Sequence, residues 1–171
     1  MSRFQTLTPS QLSREAFVSA FADIYEHSPW VAEKAYDLGA DETLDDIEAL
    51  QQRMADILLS ASREQQLNLI NAHPDLAGKA AIQGELTASS TSEQAGAGIQ
   101  DCTAEEFARF TELNDAYKAK FGFIFIMAVK GSNRHQILAA FEERLNNSPE
   151  QEFARALAEI NKIALFRLQQ L

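Results

Sequence analysis

The chain has 171 residues, 46% of them hydrophobic, which is the length of one domain and enough apolar content for a core without covalent staples. Its formal charge of −10, with 15 Lys and Arg against 25 Asp and Glu and no basic run, excludes a phosphate-tracking nucleic-acid surface. The single cysteine, Cys102, excludes an intramolecular disulfide and a zinc site built on cysteine pairs.

Helix-start signals punctuate the sequence. Thr8-Pro9-Ser10-Gln11, Ser62-Arg63-Glu64-Gln65, Thr103-Ala104-Glu105-Glu106 and Ser148-Pro149-Glu150-Gln151 all fit the capping box, in which a hydroxyl and a side-chain carbonyl satisfy orphan amides. Ser28-Pro29 and Ser148-Pro149 put proline at the first helical position, where its missing amide costs nothing. Apolar residues then recur at helical spacing: Phe17, Phe21 and Ile24; Ile47, Leu50, Met54, Ile57 and Leu58; Phe107, Phe110, Leu113 and Tyr117; Phe153, Leu157, Ile160, Ala164 and Leu168. Gly39, Gly122 and Gly131 fall where helices end or turn. These signals predict helices near 14–26, 29–38, 44–60, 63–72, 104–121, 133–146 and 149–169. With no internal repeat and no linker, the expectation is an all-α, single-domain helical bundle over 1–171. The N-terminus lacks the apolar core of a signal peptide, no stretch would span a bilayer, and the C-terminal RLQQL is not a peroxisomal address. A reducing, cytoplasmic location is expected by elimination.

Two stretches break the helical pattern. Residues 73–102 are rich in Ala, Gly, Ser and Thr and read as a long loop holding a short helix, a length of loop that often serves function. Residues 121–129, Phe-Gly-Phe-Ile-Phe-Ile-Met-Ala-Val, form a short extended apolar segment near 123–129. Buried extended backbone with no ladder partner must find a side chain, water or ligand for its amides and carbonyls.

Three histidines are present. His27 is expected near the end of the first helix, contacting its C-terminal dipole, and His135 as a solvated or capping residue. His73 ends a helix and precedes Pro74, which biases the chain away from αR and fixes its exit direction. The imidazole is thereby either structural or rigidly presented for acid–base work. Ser90, Glu93 and Gln94 lie on adjacent helical faces and offer a hydroxyl, a carboxylate and an amide; Ser90 and Glu93 also read as a capping box opening a short helix. Metal-ligand spacing, phosphate-binding glycine loops and a nucleophile elbow are all absent, so no metal and no cofactor is expected.

Taken in order, these elements resemble the 2-oxo-4-hydroxy-4-carboxy-5-ureidoimidazoline (OHCU) decarboxylases of uric acid breakdown. The matching pieces are Asn71-Ala72-His73-Pro74-Asp75-Leu76, then Leu86-Thr87 leading into Ser90-x-x-Glu93-Gln94-x-x-Ala97-Gly98. Leu113-Asn114-x-x-Tyr117-x-x-Lys120-Phe121-Gly122-Phe123 and a terminal Ile163-Ala164-Leu165-Phe166-Arg167-Leu168 helix follow. The resemblance implies an all-α fold, a homodimer and cofactor-free conversion of OHCU to (S)-allantoin and CO2. It implies His73, Glu93 and Arg167 as the catalytic core, with Pro74, Ser90 and Gln94 as supporting substrate contacts. It also implies that backbone groups of Phe123, Ile124, Phe125 and Ile126 bind the substrate ring. Ile124 stands where many relatives have proline, which implies altered rigidity and not lost binding, since the contact is through main chain. Read without the resemblance, Arg167 is an Arg in the last turns of a helix, favoured by the dipole.

Two other readings remain open on the residues alone. One is a different cofactor-free lyase or hydrolase acting on a small polar heterocycle. The other is a helical interaction module without turnover, which would tolerate changes at His73 and Glu93.

Overall fold

In the computed structural model, which describes residues 2–77 and 87–171, the regular structure is helical. The helices are α1 (Arg14–Phe21), α2 (Trp30–Asp37), α3 (Ile47–Leu59), α4 (Arg63–Ala72), α5 (Ala88–Gly96), α6 (Ala104–Phe121), α7 (Arg134–Arg144) and α8 (Pro149–Gln169). Short 3-10 turns occupy Pro9–Gln11, Glu42–Asp45 and Ile99–Asp101. Among the described residues, β pairing is limited to an isolated antiparallel bridge between Arg3 and Asp46. The fold is therefore all-α. No helix among the described residues is long and apolar enough to cross a membrane.

The chain divides into two compact units, Met1–Ala72 with Ile160–Leu171, and His73–Glu159. In the first unit, Phe17, Phe21, Val31, Leu50, Met54, Leu58 and Leu69 are buried, and Phe17 lies 4.6 Å from Phe21 and 5.4 Å from Tyr36 between ring centroids. Trp30, the chain's one tryptophan, opens α2 with the Lys34 ammonium 5.3 Å over its ring. Ser13 caps α1 by accepting from the Ala16 amide.

The first helix ends at Phe21, short of the expected 26. Residues 22–28 instead form turns, in which His27 takes a φ of 47° and Tyr25, Glu26 and Ser28 are buried. Packing decides this: the Tyr25 hydroxyl donates to Asn161 Oδ1 at 2.8 Å, and Ser28 Oγ donates to the Glu26 carbonyl at 2.9 Å. His27 is consequently exposed and does not sit on the last turn of α1 as expected. Thr8, expected to open a capping box, makes no side-chain cap and precedes only the short turn Pro9–Gln11.

The second unit is built on phenyl rings. Tyr117 meets Phe125, Phe123 and Phe141 edge-on at 5.4, 6.1 and 6.3 Å, and Phe125 stacks on Phe141 at 3.7 Å. The Thr103–Glu106 box closes reciprocally at the start of α6, and Gly122, at a φ of 80°, ends that helix. A φ there is open to glycine at no steric cost. Asn133 and Gln136 close a further reciprocal box at α7, a start not flagged by the serine–threonine pattern.

Candidate active site

α4 stops at Ala72, and His73 follows as a buried residue with Pro74 and Asp75 half-buried. Residues 73–77 then turn sharply, with Ala77 held at a φ of 53°, a left-handed conformation that costs an alanine roughly 1–2 kcal/mol. Three side chains hold the turn. Gln94 Oε1 accepts from the Ala77 amide at 3.1 Å while its Nε2 donates to the Asp75 carbonyl at 3.3 Å. Asn114 Nδ2 donates to the Leu76 carbonyl at 3.0 Å, and the Lys118 ammonium lies 2.7 Å from Asp75 Oδ2. Every bond here lies within the second unit.

α5 supplies the carboxylate. Its N-cap is Thr87, whose hydroxyl accepts from the Ser90 amide, so the helix starts three residues earlier than the Ser90–Glu93 box implied. With the cap at Thr87, Ser90 and Gln94 are one turn apart on the buried face, and Glu93 is half-buried beside them. Gln94 thus joins α5 directly to the backbone following His73. Residues 78–86, including the expected Leu86, lie outside the described residues.

Residues 123–126 form the non-helical run that the sequence led us to expect, with Phe123, Phe125 and Ile126 buried and Ile124 half-buried. Among the described residues no strand runs beside it. Its anchors are side chains: Arg144 Nη1 donates to the Ile126 carbonyl at 2.6 Å, and the Ala128 amide donates to Glu159 Oε1 at 3.2 Å. Arg144 in turn donates through Nε to Glu152 Oε1 at 2.8 Å, and the Tyr117 hydroxyl donates to the same oxygen at 2.6 Å. Burial and that carboxylate push the Tyr117 phenol well above its ordinary range.

Arg167 belongs to the first unit and is buried. Its Nη1 donates to Glu26 Oε2 at 2.8 Å and to the Asp23 carbonyl at 3.2 Å. The guanidinium is therefore built into a buried ion pair, and the dipole of its own helix is not what places it. His135 is exposed, with Nδ1 3.6 Å from Glu106 Oε2. Cys102 is half-buried, and burial raises its thiol above the ordinary value.

Sequence reasoning did not find Glu26, Lys118, Arg144 or Glu152. Asn114 and Tyr117 stood in a quoted motif without a role. A usable signal was there: two polar residues three apart within the apolar face of α6, where a buried amide and hydroxyl need partners.

Fold and residues together define an all-helical protein that fixes a histidine turn and an irregular buried segment by side-chain hydrogen bonds, with the helix that carries Glu93 tied to that turn through Gln94. Comparison with known proteins is specific on this point. The family model described as OHCU decarboxylase matches residues 10–169. A 2-oxo-4-hydroxy-4-carboxy-5-ureidoimidazoline decarboxylase from Halalkalicoccus jeotgali is 41% identical over 171 residues, covering 100% of this chain and 93% of that one. The crystal structure of an (S)-allantoin synthase superposes with a TM-score of 0.74 at 34% identity, covering 94% of this chain and 51% of that one, so this chain spans about half its length. An OHCU decarboxylase crystallised in the presence of (S)-allantoin gives a TM-score of 0.67 at 26% identity, covering 82% and 89%. The chain belongs to the OHCU decarboxylase family.

Proposed function

We propose that this chain is a carboxy-lyase that converts OHCU to (S)-allantoin and CO2 in uric acid degradation, with no metal or organic cofactor. The match of the family model over residues 10–169, which includes every candidate site residue, carries the reading. The substrate has a carboxylate and a hydroxyl on one ring carbon, next to an imine carbon bearing the ureido group. When CO2 leaves, the bond pair forms a carbon–carbon double bond and the imine pair moves onto nitrogen, which takes up a proton. The hydroxyl proton is then lost, and the ureido-bearing carbon is protonated to give the ketone. The substrate is its own electron sink, so the protein must only hold the anion and move protons.

His73 and Glu93 are the proposed acid–base pair, one handling the hydroxyl proton and the other the carbon. The turn fixed by Gln94 and Asn114 supports this role for His73, because a general acid or base must be held in place. Arg167 is proposed to offer its planar fork to an anionic or carbonyl group of the substrate, with Glu26 setting the plane of the guanidinium. Ser90, Pro74 and the backbone of residues 123–126 are proposed substrate contacts. We also propose a cytoplasmic homodimer, which light scattering would report as about twice the 19.0 kDa chain mass.

The test is an ultraviolet assay on freshly generated OHCU with chiral chromatography of the product, in the presence of EDTA. Rapid conversion to (S)-allantoin in large excess is the expected result. Uncatalysed rates, or turnover that stops with EDTA and returns with one added divalent ion, would overturn it.

A further inference from the structure

The structure of the second unit draws attention to Arg144, the last residue of α7, which is 4% exposed beside a Glu152 that is 0% exposed. A cation at a helix C-terminus gains from the dipole while fully solvated, so burial is not needed for that purpose. A buried ion pair is also weak evidence for stability, since apolar residues of similar volume commonly do as well. Here the pair is not even complete: Nη2 of Arg144 is buried with no hydrogen-bond partner among the described residues. Such a group calls for an explanation other than stability.

The geometry supplies one. Arg144 Nη1 reaches the Ile126 carbonyl, Nε reaches Glu152, and the guanidinium carbon lies 4.3 Å from the Phe125 ring centroid. That ring is stacked on Phe141 on α7. Glu152 is itself fixed from three sides, by Arg144, by the Tyr117 hydroxyl and by Asn147 Nδ2 at 2.9 Å. A planar fork sets direction as well as distance, which an ammonium cannot do. In a segment without a strand neighbour, this is a substitute for a ladder: it pins the Ile126 carbonyl and, with it, the peptide planes on either side.

We propose that Arg144 is a positioning residue for the decarboxylation, acting through the Ile126 carbonyl to hold residues 123–126 in the shape that reads the substrate ring, with Glu152 and Tyr117 orienting its guanidinium. The inference rests on the proposed main-chain contact between residues 123–126 and the substrate. It assigns Arg144 no contact with the reacting atoms.

The test uses the full chain, isotopically labelled, and titrates (S)-allantoin while following backbone amide resonances, alongside KM and kcat for OHCU. Arg144→Lys keeps a charge without the fork, and Tyr117→Phe keeps the ring while deleting one donor to Glu152. Ile137→Ala, at a buried position on α7, serves as a control for destabilisation alone. Arg144→Lys should raise Kd for (S)-allantoin and KM about tenfold, with a smaller fall in kcat, and Tyr117→Phe should raise both about threefold. Ile137→Ala should lower Tm and leave Kd unchanged. A folded Arg144→Lys with wild-type Kd and KM would overturn the assignment, whatever its Tm. If Arg144→Lys does not fold, a Tyr117→Phe with unchanged Kd overturns it instead. If the wild-type amides of residues 123–126 do not move on titration, the ring-contact reading itself fails, and this inference falls with it.

Discussion

Glu26 and Arg167 form an ion pair in which both side chains are almost wholly removed from water, at 2.8 Å. Such pairs contribute little net stability, yet breaking one by removing a partner typically costs about 3–5 kcal/mol. Glu26 sits one residue before a strained position, His27 at a φ of 47°, so the turn that delivers the carboxylate is itself constrained.

Arg167→Lys retains the charge and loses the planar guanidinium whose Nη1 meets Glu26 and the Asp23 carbonyl. We expect turnover to fall at least about tenfold, equivalent to ~1.4 kcal/mol, with helical circular dichroism preserved. Full activity in the lysine variant would reduce Arg167 to a structural cation. Arg167→Met, which takes the guanidinium away from the buried Glu26 carboxylate, should lower stability by about 3–5 kcal/mol in urea unfolding.

His73→Asn keeps a polar side chain of smaller size at a turn already held by other residues. Turnover should drop by about 10²–10⁴, the range for a positioned acid or base, with Tm within a few degrees of wild type. A folded variant turning over at near-normal rate would leave His73 with a structural role alone.

Gln94 spends its amide on backbone groups of the histidine turn, at Ala77 and Asp75. Gln94→Leu would take this partner from the buried Ala77 amide, at about 1–3 kcal/mol, and one donor from the part-buried Asp75 carbonyl, at less. Gln94→Glu still accepts from the Ala77 amide and should be the milder change. We expect both to lose activity, Leu more than Glu, and to lose stability in the same order. A Leu variant as stable as wild type would show that the turn holds itself.

Glu48 accepts from the Ser2 hydroxyl at 2.6 Å and from the Ser2 amide at 3.1 Å. The serine hydroxyl, first, and backbone amides hold its carboxyl down at about 2, against an ordinary 4.5. A depressed carboxylate stabilises the fold above its unfolded pKa, and that stability is lost as pH falls through the folded value. The Tm gap between wild type and Glu48→Gln should therefore be full at pH 6, then shrink from about 4.5 down towards about 2. A gap independent of pH would mean that the contact does not persist in solution.

The parts legible in sequence are those with local causes. The Ser62–Gln65, Thr103–Glu106 and Ser148–Gln151 boxes close as read, because each needs only residues three apart. The irregular run near 123–129 was legible too, through Gly122 and its apolar, β-prone composition. What escaped has distant causes. The early end of α1 depends on Tyr25 bonding Asn161, 136 residues away, and on Glu26 meeting Arg167, 141 away. At α5 the template misled: Ser90 and Glu93 fit a capping box, but Thr87 fits the actual N-cap and leaves Ser90 on the buried face. Arg144 gave no signal, since an arginine ending a helix looks alike whether it meets water or a carbonyl.

The placement of Trp30 has a spectroscopic consequence. It is the chain's sole indole and lies in the unit made of Met1–Ala72 and Ile160–Leu171, as do Tyr25 and Tyr36. Tyr117 is the one tyrosine in the other unit, where its ring neighbours among the described residues are phenylalanines. Selectively excited indole emission therefore watches the environment of the unit that carries Arg167, while a fluorine label on Tyr117 would watch the one that carries His73. Denaturation curves from the two probes would coincide for a single cooperative transition and separate if either unit melts first.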